Sequence, residues 1–178
     1  MKELNQSQLD LSNNTTGTII FDIVVSIKKD IVGRNRRYRV PPNYEEILEK
    51  VANYLNQTII FVDFMTLSLL QQIHLVMNTR LLVSIAGGSA FIGLFLSQGA
   101  SMLLFSDTIN DRYLDFGFFS AFSHIEVSYI LTTRRSLVVY EVLLPRICRL
   151  LVNTDLYSEH QSVRTSVSVS VMDKCSRL

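Results

Sequence analysis

An α/β fold, a mainly parallel sheet with helices on both faces, is predicted for this chain by three observations. Segments of strand length rich in β-branched residues alternate with segments of helical periodicity. The strand segments are continuous apolar runs, as strands covered on both faces require. Gly/Ser or Pro breaks separate the pieces. At 178 residues, 48% hydrophobic and 19% charged, the chain is globular and one domain in size.

Residues 1–16 are polar and are predicted to form a disordered leader. Gly17 to Ile27 is β-branched and ends at Lys28-Lys29, which marks a buried first strand. A basic loop follows with Lys28, Lys29, Arg34, Arg36, Arg37 and Arg39, and Pro41-Pro42 stops regular structure there. Asn43 is placed to cap a helix. Tyr44, Ile47, Leu48, Val51 and Leu55 then recur at helical spacing, with Glu45, Glu46, Glu49 and Lys50 on the other face.

Thr58 to Asp63 is the second strand. Ser68 to Met77 is the second helix, with a capping box from Ser68 to Gln71 and an apolar stripe of Leu69, Ile73 and Met77. Leu81 to Ile85 is the third strand, Phe91 to Leu96 a short helix, and Ser101 to Phe105 the fourth strand. The order β-α-β-α-β-α-β is that of a Rossmann-like unit with parallel strands. Beyond Asp107 the pattern weakens: Asp111 to Phe122 reads as an aromatic-rich helix, Ser136 to Tyr140 as a strand, and Pro145 as a break within Glu141 to Val152. The domain is drawn as 17–152, and 153–178 as a flexible polar tail whose one strand-like stretch is Thr165 to Val171.

Leu81 through Ser106 carries no charge, so a membrane span is a competing reading. The breaks at Ala86-Gly87-Gly88-Ser89 and Ser97-Gln98-Gly99 divide it instead into pieces of strand and short-helix length. Lys+Arg 17 against Asp+Glu 16 leaves a net charge of +1, which supplies no global field for nucleic acid. Cys148 and Cys175 lack the spacing of a zinc site, a redox pair or a disulfide framework, and are read as a buried thiol and a tail thiol. Met1 to Ser12 shows no signal-peptide pattern, yet Asn5, Asn13, Asn14 and Asn56 each begin an Asn-X-Ser/Thr sequon. A secretory protein whose N-terminal part is missing accounts for both.

In open α/β sheets, ligands bind outside the carboxyl ends of the strands. Gly87, Gly88 and Ser89 follow the third strand and open a helix, so a pyrophosphate can approach their backbone; a tight structural turn explains the same residues. Arg36 or Arg37, after the first strand, can clamp a diphosphate bidentately, or belong to a solvated charge run. His74 reads as a packed or surface histidine. Asp63 and Asp107 close strands and suit either ribose or acceptor contacts or helix capping.

Three stretches, in order, resemble family 61 glycosyltransferases: Thr58-Ile-Ile-Phe-Val-Asp-Phe-Met-Thr-Leu-Ser-Leu-Leu-Gln-Gln-Ile-His, Leu82-Val-Ser-Ile-Ala-Gly-Gly-Ser-Ala-Phe, and Phe95-Leu-Ser-Gln-Gly-Ala-Ser. The family has a strand, a Ser/Leu-x-x-Gln helix, a strand ending in a glycine-rich loop, and a Phe-x-x-x-Gly-Ala turn before another strand. The resemblance covers about Ile20 to Phe105.

It implies one half of a GT-B fold, the C-terminal half that binds a nucleotide-sugar donor. Arg36 or Arg37 would lie near the diphosphate, and Gly87, Gly88 and Ser89 would line the loop. The implied partners are a nucleotide sugar and a glycan or glycoprotein acceptor, with no nucleic acid, no metal and no permanently bound cofactor. The implied location is the Golgi or ER lumen. A missing N-terminal half or a second copy of the chain would complete the cleft, and the chain alone is expected to lack turnover. Two departures stand out: Ala86 replaces the His that commonly begins the family's loop, and Leu103-Leu104-Phe105 replaces a strand that commonly carries Glu. No residue is identified as the base that an inverting transferase needs. A non-catalytic α/β binding module and a single-span membrane protein at 81–106 are the alternatives.

Overall fold

The computed structural model describes residues 21–27, 43–106, 118–119, 121–132, 137–159 and 168–176, with backbone alone at 155–159 and 168–170. Five strands, β1 (Phe21–Ser26), β2 (Ile59–Val62), β3 (Thr79–Ile85), β4 (Ser101–Ser106) and β5 (Glu126–Leu131), form one sheet in the order β2-β1-β3-β4-β5. Every pairing is parallel.

The register explains the continuous apolar runs. Ile60, Val24, Leu82, Met102 and Val127 form one row across the sheet, and the next row, Phe61, Val25, Val83 and Leu103, points to the opposite face. Both faces are therefore core, as expected for an all-parallel sheet. Helices α1 (Tyr44–Leu55), α3 (Tyr140–Glu159) and α4 (Ser168–Cys175) cover the Val25 face. Helix α2 (Leu69–Met77) and a 3₁₀ helix, Gly88–Phe95, cover the Val24 face.

The uncharged run from Leu81 to Ser106 is strand, turn, 3₁₀ helix and strand. No described helix is long and apolar enough to cross a membrane. Helix α1 buries all five residues of its expected stripe, together with Ala52. Asn43 stands at its N-cap without capping through its side chain. Its carboxamide instead donates to the Val138 carbonyl at 3.0 Å and accepts from the Val138 N–H at 2.9 Å, tying α1 to the approach to α3.

The capping box of α2 is present, with Ser68 and Gln71 exchanging hydrogen bonds of 3.3 and 2.9 Å. Its expected stripe is corrected: Leu69 and Met77 are exposed, and Leu75 and Val76 are buried. A nine-residue helix with six apolar positions defines no unique face by pattern alone. Gln72 lies on the inward side, donating to the carbonyls of Phe64 at 2.8 Å and Leu67 at 3.0 Å.

The C-terminal third differs most from expectation. Residues 137–139 have no regular structure, and Tyr140 begins α3 in place of ending a strand; Ser136 lies outside the described residues. The helix runs through Pro145. An interior proline costs about 3 kcal/mol. Here Leu143, Leu144, Ile147, Leu150 and Leu151 all bury on one face, and that burial outweighs the lost hydrogen bond. The strand-like stretch expected at Thr165 to Val171 is corrected: its described part, from Ser168, belongs to helix α4, and residues 165–167 lie outside the described residues. The two cysteines are not free thiols: Cys148 of α3 and Cys175 of α4 form a disulfide with Cα atoms 5.6 Å apart. Their partnership arises from helix packing and has no local sequence signature. Most of the expected helix 111–122 lies outside the described residues, although Phe118 and Phe119 are helical.

Candidate functional site

The chain leaves β1 toward β2 on one side of the sheet, then returns past β1 to lay down β3, β4 and β5 on the other. The order reverses beside β1, so the helical connections diverge above the carboxyl ends of β1 and β3 and leave a crevice there. A cleft of about 520 Å³ occupies that position. Its floor includes Ser26 and Ile27 after β1, Asp63 after β2, and Gly88 and Ser89 after β3.

Two apolar walls face each other across it. One consists of Phe64, Met65 and Leu69, from the 3₁₀ turn Phe64–Thr66 and the start of α2. The other consists of Phe91, Ile92, Leu94 and Phe95 of the second 3₁₀ helix. Phe91 is backed by Phe118 and Phe119, with ring centroids 4.8 and 5.6 Å away. Such aromatic clusters fix ring orientation through many small contacts.

The polar groups are few. Asp63 caps the first 3₁₀ turn, its carboxylate accepting from the Met65 N–H at 3.1 Å. The Ser89 hydroxyl is buried and has no hydrogen-bond partner among the described residues. Leaving such a group unpaired costs about 1–3 kcal/mol, so it is poised to accept a partner. The two glycines divide their roles. Gly87 has φ +129° and ψ −166°, a backbone conformation that L side chains rarely adopt, so it makes the turn. Gly88 has no positive φ and borders open space, so the turn does not require it. The first N–H groups of a helix lack partners within it, and Gly88 and Ser89 stand at that end.

Of the loop residues, Gly88 and Ser89 line the cleft, and Gly87 makes the turn that precedes them. Arg36, Arg37 and Asp107 lie outside the described residues. His74 is exposed on α2 beside Asn78 and does not line the cleft. The apolar walls escaped sequence reasoning; their signal is the aromatic pair Phe91 and Phe95, four apart on the helix behind the glycines. Among the described lining residues, Asp63 carries the one charge. No three His, Cys, Asp or Glu side chains converge on one point among the described residues.

A second polar cluster lies at the opposite end of the sheet. Asp22 accepts from the Thr58 N–H at 2.9 Å, the Thr58 hydroxyl at 2.7 Å and Arg80 Nη1 at 3.0 Å, while the same Arg80 nitrogen donates to Gln57 Oε1 at 3.0 Å. It fastens the amino ends of β1, β2 and β3, which holds their carboxyl ends in register beneath the cleft.

Residues 6–103 match the family model of Glycosyltransferase 61, more than half of the chain. No curated protein matches the chain. Every residue described as lining the cleft falls inside the matched span, as does the basic segment after Ile27. A five-stranded parallel sheet, a cleft at its reversal point and a match across all the cleft-forming elements lead to one assignment: the chain belongs to the glycosyltransferase 61 family.

Proposed function

We propose that the cleft receives a nucleotide-sugar donor, and that the chain is the donor-binding half of a GT-B type glycosyltransferase acting on a hydroxyl of a glycan or glycoprotein. The observation that carries this reading is the buried, unpartnered Ser89 hydroxyl beside a glycine the turn does not need, at the reversal point of the sheet. A diphosphate would approach the backbone at Gly88 and take the Ser89 hydroxyl as a donor. The walls of Phe64 and Phe91 suit the flat, weakly polar face of a nucleobase, and the Asp63 carboxylate suits ribose hydroxyls as an acceptor.

The described lining holds no cation, so the negative diphosphate requires one from a neighbouring segment. Arg36 and Arg37 follow Ile27, a lining residue, and are assigned that role. In the transfer, the bond between the sugar's anomeric carbon and the diphosphate oxygen breaks and a bond to the acceptor oxygen forms. The nucleoside diphosphate leaves, and the acceptor proton passes to a base. The Cys148–Cys175 bridge supports placing the chain in the ER or Golgi lumen, where disulfides persist.

Calorimetric titration with nucleoside diphosphates tests the donor site. Saturable binding by wild type and its loss in Gly88→Val is the expected pair of results. A folded wild-type chain that binds no nucleoside diphosphate would reassign the glycine loop to a purely structural turn.

A further inference from the structure

We propose that Asn56 is an N-glycosylation site, on the face of the domain opposite the cleft. The inference rests on the lumenal location proposed above. Asn56 opens the sequon Asn56-Gln57-Thr58 and ends α1 in the left-handed conformation, φ 57° and ψ 42°. Its backbone N–H completes the helix cap by donating to the carbonyls of Ala52 and Asn53. The side chain takes no part: among the described residues its carboxamide makes no hydrogen bond, and the residue is exposed. The cap therefore survives when the amide nitrogen is substituted.

The surroundings suit a sugar. Tyr54, two residues earlier, is an exposed aromatic at 42% relative exposure, against which the C–H face of a first sugar can rest. Lys174 steadies this residue, donating to the Tyr54 carbonyl at 2.6 Å and lying 5.8 Å from the ring centroid. Lys174 is adjacent to Cys175, whose bridge to Cys148 ties α4 to α3. An oxidised cysteine pair marks the compartment in which the glycan would be added. Asn56 precedes β2 and so lies at the amino end of the sheet, while the cleft lies at the carboxyl end. A glycan there leaves donor access open.

In the modification, the Asn56 carboxamide nitrogen attacks the anomeric carbon of a lipid pyrophosphate-linked oligosaccharide. The carbon–nitrogen bond forms as the carbon–oxygen bond to pyrophosphate breaks, the lipid pyrophosphate departs, and the amide loses one proton.

The test uses the full chain from its native cells. Tryptic peptide Val51–Arg80 carries Asn56 within its one sequon. Treatment with peptide N-glycosidase in heavy-oxygen water should convert Asn56 to labelled Asp in most molecules. Asn56→Gly keeps the left-handed backbone and should remove the glycan. Thr58→Ser keeps both the sequon and the hydroxyl at Asp22, and should retain it. An unlabelled Asn56 in protein whose Cys148–Cys175 pair is oxidised overturns the site while leaving the lumenal location standing. An unlabelled Asn56 with both cysteines as free thiols overturns the location and the site together.

Discussion

The Asp22 carboxylate and the Arg80 guanidinium meet at 3.0 Å at the amino end of the sheet, with side-chain exposures of 16% and 11%. Removing one partner of a mostly buried pair takes a charge-assisted contact from the other and costs stability. Asp22→Ala also strips the acceptor from Thr58. The expected loss of stability is about 3 kcal/mol, read from urea unfolding. Glu46→Ala, which breaks the exposed pair with Lys50, should cost no more than about 0.5 kcal/mol.

The Cys148–Cys175 bridge closes a loop with a sequence separation of 27. Loop-closure entropy for such a length corresponds to about 3–4 kcal/mol. Reduction, or replacement of both cysteines by Ala, should lower stability by that amount and release α4 from α3. Denaturant titrations with and without reductant measure the difference, and hydrogen exchange over residues 168–176 reports the release.

The two glycines of the loop should respond oppositely to substitution. Gly88→Val meets no atom within 4 Å of its new Cβ and should leave the fold unchanged while abolishing nucleoside diphosphate binding. Gly87→Val, at φ +129°, should cost about 1–3 kcal/mol of stability. Circular dichroism melts alongside calorimetry separate the two effects.

Arg36→Ala with Arg37→Ala should weaken nucleoside diphosphate affinity about ten- to a hundredfold, the equivalent of a charge-assisted contact of about 1.5–3 kcal/mol. Lys at the same positions should restore only part, because it keeps the charge and loses the bidentate fork. Unchanged affinity in the double Ala variant removes these residues from the donor site.

Burial pushes the Tyr44 phenol above its ordinary value of 10.0, and the neighbouring Glu45 charge adds to the shift. Below pH about 10, Tyr44 is protonated both folded and unfolded, and its contribution is fully present. Above that pH only the unfolded chain releases the proton. Stability should then fall by up to about 1.4 kcal/mol per pH unit from this residue. Tyr44→Phe should flatten that alkaline slope in unfolding measurements on either side of pH 10.

The sheet core and α1 were legible because their burial follows period and hydrophobicity: the α1 stripe is buried residue for residue, and β1 to β4 fall on the expected apolar stretches, with Asp22 and Arg80 near their amino ends. β5 was not, because as an edge strand it carries Glu126, Ser128 and Tyr129 among its six residues and lacks the signature of a strand covered on both faces. In α3, the buried spacing from Leu143 to Leu151 was present, but Pro145 argued against a continuous helix. At the site, Gly88 and Ser89 were legible from a strand-loop-helix pattern. The opposing walls were not, since only the fold brings Phe64 within reach of Phe91.

The strand order also sets a timetable for biosynthesis. β1 lies between β2 and β3, so the segment that leaves the ribosome before either has no neighbour to pair with until residues 59–62 and 79–83 have emerged. Its Val25 side is closed partly by Leu143, Leu144 and Ile147 of α3, later still. Until β2 and β3 emerge, Ile23, Val24 and Val25 form an uncharged, β-branched stretch with unpaired backbone, and until α3 emerges one side of it stays uncovered; such a segment adheres to other nascent chains. Translation that stalls between β1 and α3 should therefore yield chains that depend on chaperone binding, and chains released with α3 complete should not.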